Sequence, residues 1–122
     1  MVEMPSVYGM EQRTARKEHK CCECRGKILP GEKYNYHHGI WEGRAGSFKV
    51  CLECDAIRKE VDKNERDPEF RTAFEGLSES VFDSHNAKFI RDFIAVKQRR
   101  GAAISDWMLR RRDELTAPQG AS

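Results

Sequence analysis

The stretch KCCECRGKILPGEKY, from Lys20 to Tyr34, holds three of the five cysteines of this 122-residue chain and then a Pro-Gly turn. Cys21 and Cys24 form a Cys-x2-Cys pair, and Cys51 and Cys54 form a second pair with 26 residues between the two. Two such pairs can place four sulfur atoms tetrahedrally around Zn2+, at Zn–S distances of about 2.3 Å. The spacing therefore predicts a structural zinc site with these four cysteines as ligands.

The neighbouring residues leave alternatives open for the first ligand. Cys22 and Cys24 are separated by one residue, so their side chains tend to diverge, and Cys21 is the expected partner of Cys24. Cys22 or His19 is the alternative ligand at that position. A disulfide framework is the competing interpretation, but it needs an oxidising compartment, and a redox Cys-x2-Cys motif needs a βαβ pattern. With four thiolate ligands no coordination position stays open for water, which predicts a structural rather than a catalytic metal.

The composition predicts one lean domain in a reducing compartment. Hydrophobic residues make up 39% of the chain and charged residues 34%, so the core is small and gains from a metal staple. The chain has no apolar run near the ~20 residues of a membrane span, and its first residues lack the layout of a signal peptide. We therefore expect a cytoplasmic protein. Four thiolates and one Zn2+ add a charge of −2, which brings the formal net charge of +2 to about zero.

A β-hairpin is expected between the two cysteine pairs. Gly26 suits the turn that follows the first pair, and Pro30-Gly31 suits a type II turn. Residues 32 to 41 are rich in β-forming aromatics, and residues 42 to 46 form a loop before a returning strand. Alternation places four side chains on one face of the first strand, and two on one face of the second: Tyr34, Tyr36, His38 and Ile40, then Phe48 and Val50.

The second cysteine pair opens a predicted helix. Cys54, Ile57 and Val61 fall on one stripe, and the helix should stop before Pro68. The fold class expected is therefore α+β. It consists of a zinc module of knuckle, β-hairpin and helix, followed by a C-terminal helical segment.

This order of elements resembles a treble-clef zinc finger. The string ARKEHKCCECRGKILPGEKY…GIWEG…FKVCLEC is also similar to a family of small, largely uncharacterised proteins from phages and prophages, over roughly residues 4 to 58. The resemblance implies a zinc module of mobile-element origin that works in the cytoplasm of a host cell. It implies no established activity.

The C-terminal half is predicted to be helical. A short helix is expected with Phe70, Phe74 and Leu77 on one stripe and a break at Gly76. Further helices are expected to begin at an N-cap at Ser84 and to end near Gly101, and then to begin at Ser105 and fray before Pro118. The expected organisation is a flexible N-terminus (1–11), a treble-clef module (12–65), a helical segment packed on it (66–116) and a disordered tail (117–122).

Two classes of partner are expected. The first is a host protein, which the chain binds and modulates as a phage accessory protein. The alternative is nucleic acid, contacted nonspecifically through basic residues of the C-terminal helices. The candidate partner-binding residues are Trp41, Arg44, Lys97, Arg99, Arg100, Arg110, Arg111 and Arg112.

Other polar and aromatic features favour a structural interpretation. The aromatic residues of the hairpin either stack on unpaired bases or pack against the C-terminal helices, and packing is favoured because the core is thin. His37 and His38 occupy adjacent strand positions, so their rings point to opposite faces and cannot share a ligand. No nucleophile with a matching base is recognisable, and we expect no enzymatic activity.

Overall fold

The computed structural model describes residues 7 to 41, 43 to 64 and 74 to 116, without the side chains of Val7, Trp41 and Thr116. Within these ranges the chain forms five strands and four helices, which confirms the α+β class. The elements are β1 (Val7–Thr14), β2 (His19–Lys20), β3 (Lys27–Ile28), β4 (Lys33–Trp41), β5 (Arg44–Cys51), α1 (Leu52–Lys63), α2 (Leu77–Asp83), α3 (Ala87–Arg99) and α4 (Asp106–Thr116).

The larger sheet is antiparallel and has the strand order β1-β4-β5. The expected hairpin between the cysteine pairs is β4-β5, in which Tyr34 lies opposite Cys51 and Trp41 opposite Arg44. β1 pairs with β4 along its whole length. Residues 7 to 11 of the segment expected as a flexible N-terminus therefore belong to a strand, and residues 1 to 6 lie outside the described residues.

The two faces of the hairpin follow the predicted alternation. Phe48 lies opposite His37, and Val50 lies opposite Asn35, so these four side chains share one face of the sheet. Helix α1 packs against this sheet, and Val50, Asn35 and His37 are buried there. The tyrosine side chains of β4 lie on the other face, where Tyr34 is buried against the ring of His19.

Helix α1 begins directly after Cys51, which is its N-cap residue. Its buried side includes Cys54, Ile57 and Val61, as the sequence stripe predicted. The N-terminal end of this helix therefore carries the second cysteine pair.

Helices α2 and α3 pack against α1 and against each other, and α4 packs against α3. Gly76, predicted as a helix break, is the N-cap position of α2, while Phe70 lies outside the described residues. The N-cap of α3 is Asn86, whose side-chain oxygen accepts from the backbone N–H groups of Lys88 and Phe89. The prediction of Ser84 was wrong because His85 turns the chain through a left-handed conformation (φ 54°) between the two residues.

α4 begins one residue after Ser105, close to the predicted start, and the predicted tail of residues 117 to 122 lies outside the described residues. None of the described helices combines the length and the apolar content that crossing a bilayer requires.

Candidate metal centre

The four predicted cysteines converge on one point in the interior. The sulfur atoms of Cys21, Cys24, Cys51 and Cys54 all lie within 4.8 Å of one another, and each of the four residues has 0% of its surface exposed. All four are free thiols. Four buried thiolates suit a soft, four-coordinate ion, so this cluster can hold a metal.

The first pair lies in a tight turn between β2 and β3. The N–H of Arg25 donates to the carbonyl of Cys21 (3.0 Å), and Arg25 adopts a left-handed φ of 64°. Backbone N–H groups of Glu23 and Gly26 point at the sulfurs of Cys21 and Cys24, at 3.4 and 3.3 Å. These N–H groups favour the anionic form of the sulfurs, as a metal-binding turn requires.

Gly26 is required for a reason that the sequence did not reveal. A Cβ atom at this position would lie 2.3 Å from the Cβ of Arg100 and 3.3 Å from the sulfur of Cys24. The C-terminal end of α3 therefore touches the first cysteine turn, and only glycine allows this approach.

The second pair meets the first at the start of α1. The N–H of Cys51 points at the sulfur of Cys21, and the N–H of Cys54 points at the sulfur of Cys51, each at 3.4 Å. The positive end of the helix dipole lies here and acts to stabilise the thiolate form that both cysteines take when they bind a metal.

Hydrogen bonds among the four sulfurs shift the pKa values of Cys21 and Cys54 in opposite directions. Hydrogen bonds from Cys24, Cys51 and Cys54 lower the pKa of the Cys21 thiol. The pKa of Cys54 is raised, because its thiol hydrogen-bonds to the sulfurs of Cys21, Cys24 and Cys51. A metal ion that binds all four sulfurs must therefore displace protons.

The two alternative ligands lie outside this cluster. Cys22 is half-buried, and burial, together with the nearby Cys21 charge, raises the pKa of its thiol to about 12. The ring of His19 packs against Tyr34, with the ring centroids 5.4 Å apart. The structure thus brings together Cys21, Cys24, Cys51 and Cys54, and leaves Cys22 and His19 aside.

Three of the candidate partner-binding residues, Lys97, Arg99 and Arg100, form contacts within the molecule. Lys97 is only 6% exposed, and its ammonium nitrogen donates to the carbonyl of Cys24 at 2.9 Å. Arg99 forms an ion pair with Glu53. Arg100 forms ion pairs with Glu32 and with Glu53 (3.1 Å), and it donates to the carbonyl of Lys27 at 2.9 Å. These three basic residues therefore hold the end of α3 against the cysteine turns and against α1.

The remaining candidate partner-binding residues are distributed over the surface. Arg110 and Arg44 are exposed. Arg111 contacts Nδ1 of His85 at 3.2 Å, and Arg112 pairs with Asp113 at 3.1 Å. The side chain of Trp41 lies outside the described part of the structure.

A buried polar network, which the sequence analysis missed, lies beside the metal centre. The carboxylate of Asp55 accepts from Nδ2 of Asn35 (2.6 Å) and contacts Nε2 of His37 (2.9 Å). Since a carboxylate only accepts, Nε2 of His37 donates, and Nδ1 is left to accept from the hydroxyl of Tyr8 at 2.5 Å. The network thus ties β1 and β4 to the first turn of α1.

The same network reaches the first cysteine turn. Nε of Arg58 lies 3.4 Å from the carboxylate of Asp55, and its guanidinium also forms a buried ion pair with Glu23. Glu23 in turn accepts from the backbone N–H groups of Glu75 and Leu77, at 3.2 and 3.1 Å. The sequence signal for this network was weak: an acid and a base at i and i+3 on α1, and polar residues at alternate positions of β4.

Comparison with known proteins gives no relative from which to transfer a function. No family model matches the chain, and no curated protein or solved structure matches it either.

Proposed function

We propose that the chain is a zinc-stabilised, non-catalytic binding module of treble-clef type. The observation that carries this proposal is the group of four buried cysteine sulfurs within 4.8 Å of one another. In an ideal tetrahedral Zn2+ site, sulfurs at about 2.3 Å from the ion lie about 3.8 Å apart. The cluster therefore needs to contract by no more than about 1 Å to hold zinc.

The order of the elements supports the treble-clef assignment. A cysteine turn between β2 and β3 comes first, the β4-β5 hairpin follows, and α1 begins with the second cysteine pair. Complete burial of all four sulfurs also supports a structural role, because a catalytic zinc keeps a position open to water.

Metal analysis tests the first part of the proposal. Native mass spectrometry of the purified, reduced protein should find one zinc ion per chain. The Cys22→Ser variant should keep the ion and Cys24→Ser should lose it. Reduced protein that contains no metal and still unfolds cooperatively would contradict the proposal.

For the partner, we propose that the module binds and modulates another protein of the host cell. The supporting observation is Trp107 on α4, which is 48% exposed and packs edge-on against Phe82 at 4.8 Å between ring centroids. Partly exposed tryptophans that are held in place by the fold are common anchors of protein interfaces. The sequence-based origin in a phage or prophage remains a prediction.

Affinity purification from nuclease-treated lysate tests this choice. A stoichiometric protein complex should survive nuclease treatment and should be lost with Trp107→Ala. The control is Leu29→Ala, which removes a side chain of similar exposure (52%) in the turn that follows β3. If capture of the partner depends on nucleic acid, or if the Trp107→Ala variant captures as much partner as the wild type, Trp107 is excluded as part of the interface.

A further inference from the structure

A basic cleft lies on the tyrosine side of the sheet, and none of the basic residues selected from the sequence lines it. It has a volume of about 830 Å³. Its lining residues are Arg13, Thr14, Arg16, Lys17, His19 and Tyr34. Arg16 and Lys17 come from the segment that joins β1 to β2, and the residues on either side of them come from the end of β1 and from β2.

The fold holds this segment in place. Ala15 is buried (3% exposed), its N–H donates to the carbonyl of Glu32 at 2.8 Å, and its carbonyl accepts from the N–H of Gly31 at 2.7 Å. At the other end of the segment, His19 packs against Tyr34. Arg16 and Lys17 therefore project from a fixed backbone and not from a free tail.

The positive charge of Arg16 and Lys17 in the cleft is not compensated by ion pairs among the described residues, in contrast to that of Arg99 and Arg100 at the end of α3. Arg16 and Lys17 are exposed, and no salt bridge in the described part of the chain includes either residue. Arg13 pairs with Glu11, and its guanidinium lies 3.8 Å from the ring centre of Tyr36.

The distribution of charged residues along the sequence also makes the N-terminal part of the chain basic. Residues 7 to 50 contain nine basic and five acidic residues, whereas residues 51 to 83 contain five basic and ten acidic ones. The net charge of the zinc-bound protein is close to zero because a basic N-terminal part and an acidic central part offset each other. A local surface of one sign attracts an oppositely charged polymer even when the whole molecule is neutral.

We propose that this cleft binds the phosphate backbone of a single-stranded nucleic acid. Arg16 and Lys17 supply the charge for phosphates, the hydroxyl of Thr14 supplies a neutral donor, and the half-buried ring of His19 offers a surface for a base. A membrane surface fits less well, because membrane-binding faces combine basic with exposed apolar residues. The large apolar side chains that are exposed in the described residues, Tyr8, Met10, Leu29, Leu52 and Trp107, do not line the cleft.

Nucleic-acid binding at this cleft does not depend on the proposed protein partner or on the identity of the metal. It requires only the folded chain, so each preparation is first shown to have the wild-type circular dichroism spectrum. If the wild-type protein binds the oligonucleotide but no protein partner, only the partner proposal is rejected. If it binds a protein partner but no oligonucleotide, only the nucleic-acid proposal for the cleft is rejected.

The test is fluorescence anisotropy with a labelled oligothymidylate strand at increasing salt. The variant Arg16→Glu/Lys17→Glu reverses two charges in the cleft. The matched control, Arg110→Glu/Arg111→Glu, reverses two charges on α4. We expect the wild-type affinity to fall with salt, and the cleft variant to bind at least about tenfold more weakly, with a salt slope smaller by about two. The control should keep the wild-type affinity and slope.

Three results would overturn the proposal. The first is no binding by the wild-type protein at low salt. The second is an equal or larger loss in the α4 control. The third is a preference for phosphatidylserine–phosphatidylcholine vesicles or polyglutamate over the oligonucleotide. If the charge-reversed variant does not fold, the milder variant Arg16→Gln/Lys17→Gln replaces it. Amide chemical shifts of the wild-type protein are then also measured on addition of the oligonucleotide, and the changes must centre on residues 13 to 19.

Discussion

The ammonium nitrogen of Lys97 lies 2.9 Å from the backbone carbonyl oxygen of Cys24, a residue 73 positions earlier in the chain. Burial lowers the pKa of Lys97, while the neighbouring Cys24 and Cys54 thiolates act to raise it. A tetrathiolate zinc centre carries a formal charge of −2, so a buried cation beside it compensates part of that charge. Lys97 is thus buried beside the cysteine cluster, where it can compensate the charge of a bound metal.

Replacing Lys97 by methionine should weaken zinc binding while the four sulfurs stay in place. The Cys24 carbonyl loses its charged donor, and second-layer contacts of this kind are worth about 10–100-fold in metal affinity. Competition with a chromophoric chelator measures the affinity. The control is Lys88→Met on the same helix, where the lysine is exposed and pairs only with Asp92 in the described structure. Equal affinities of the two variants would contradict the role given to Lys97.

Removing one cysteine of the cluster should unfold the protein, whereas removing Cys22 should not. Structural zinc in small modules contributes about 10–16 kcal/mol of apparent binding free energy. The net free energy of unfolding of a domain is only about 5–15 kcal/mol, so the free energy lost with the metal is comparable with the total stability of the fold. Cys54→Ser should therefore lose the dispersed amide spectrum that wild type and Cys22→Ser share. A dispersed, metal-free spectrum of Cys54→Ser would show that the cluster is dispensable.

Acid should release the metal and destabilise the fold. The ligands bind as thiolates, so their pKa values in the zinc-bound protein lie well below the value of about 8.5 for an unfolded cysteine. Stability from the metal is thus present at and above that value and is lost as the pH falls and protons compete for the sulfurs. Chelator-detected zinc release should increase steadily as the pH is lowered from neutral. Release that is independent of pH over this range would be incompatible with a cluster of four thiolates.

Asp55→Ala should destabilise the zinc-bound protein by about 3–5 kcal/mol, the usual cost of removing one partner from a buried ion pair. The variant leaves Nε2 of His37 without its acceptor and removes one of two carboxylates from Arg58. Urea unfolding at saturating zinc measures the change. Glu60→Ala, an exposed site on the same helix, should change stability by no more than about 0.5 kcal/mol. If Asp55→Ala and Glu60→Ala unfold with similar urea midpoints and slopes, the buried polar network around Asp55 contributes little to stability.

Local patterns were sufficient to predict the metal-centre side of the fold. The two Cys-x2-Cys pairs, the hairpin between them and the buried stripe of Cys54, Ile57 and Val61 all depend on short-range spacing. The helices α3 and α4 also agreed with their sequence periodicity, apart from the N-cap at Asn86. Both Ser84 and Asn86 are good caps, and only the left-handed turn at His85 decides between them.

The parts that sequence reasoning missed depend on contacts between distant residues. β1 has few strand-forming residues on a buried face, and Tyr8 and Met10 remain about half exposed, so its pairing with β4 gave no hydrophobic signal. Likewise, Asn35 and His37 occupy buried positions because Asp55 satisfies their hydrogen bonds. Polarity alone would place such residues at the surface. The engagement of the basic residues of α3 could not be predicted either, because their partners come from the N-terminal half.

The contact of Lys97 with Cys24 also has a consequence for biosynthesis. The last cysteine of the cluster leaves the ribosome more than 40 residues before Lys97 does. A nascent chain that captures zinc early therefore carries an anionic centre whose covering lysine has not yet been synthesised. Under the proposed zinc binding, Lys97 covers the centre only after α3 has folded back onto the first cysteine turn, so tight metal retention would depend on synthesis of the C-terminal half.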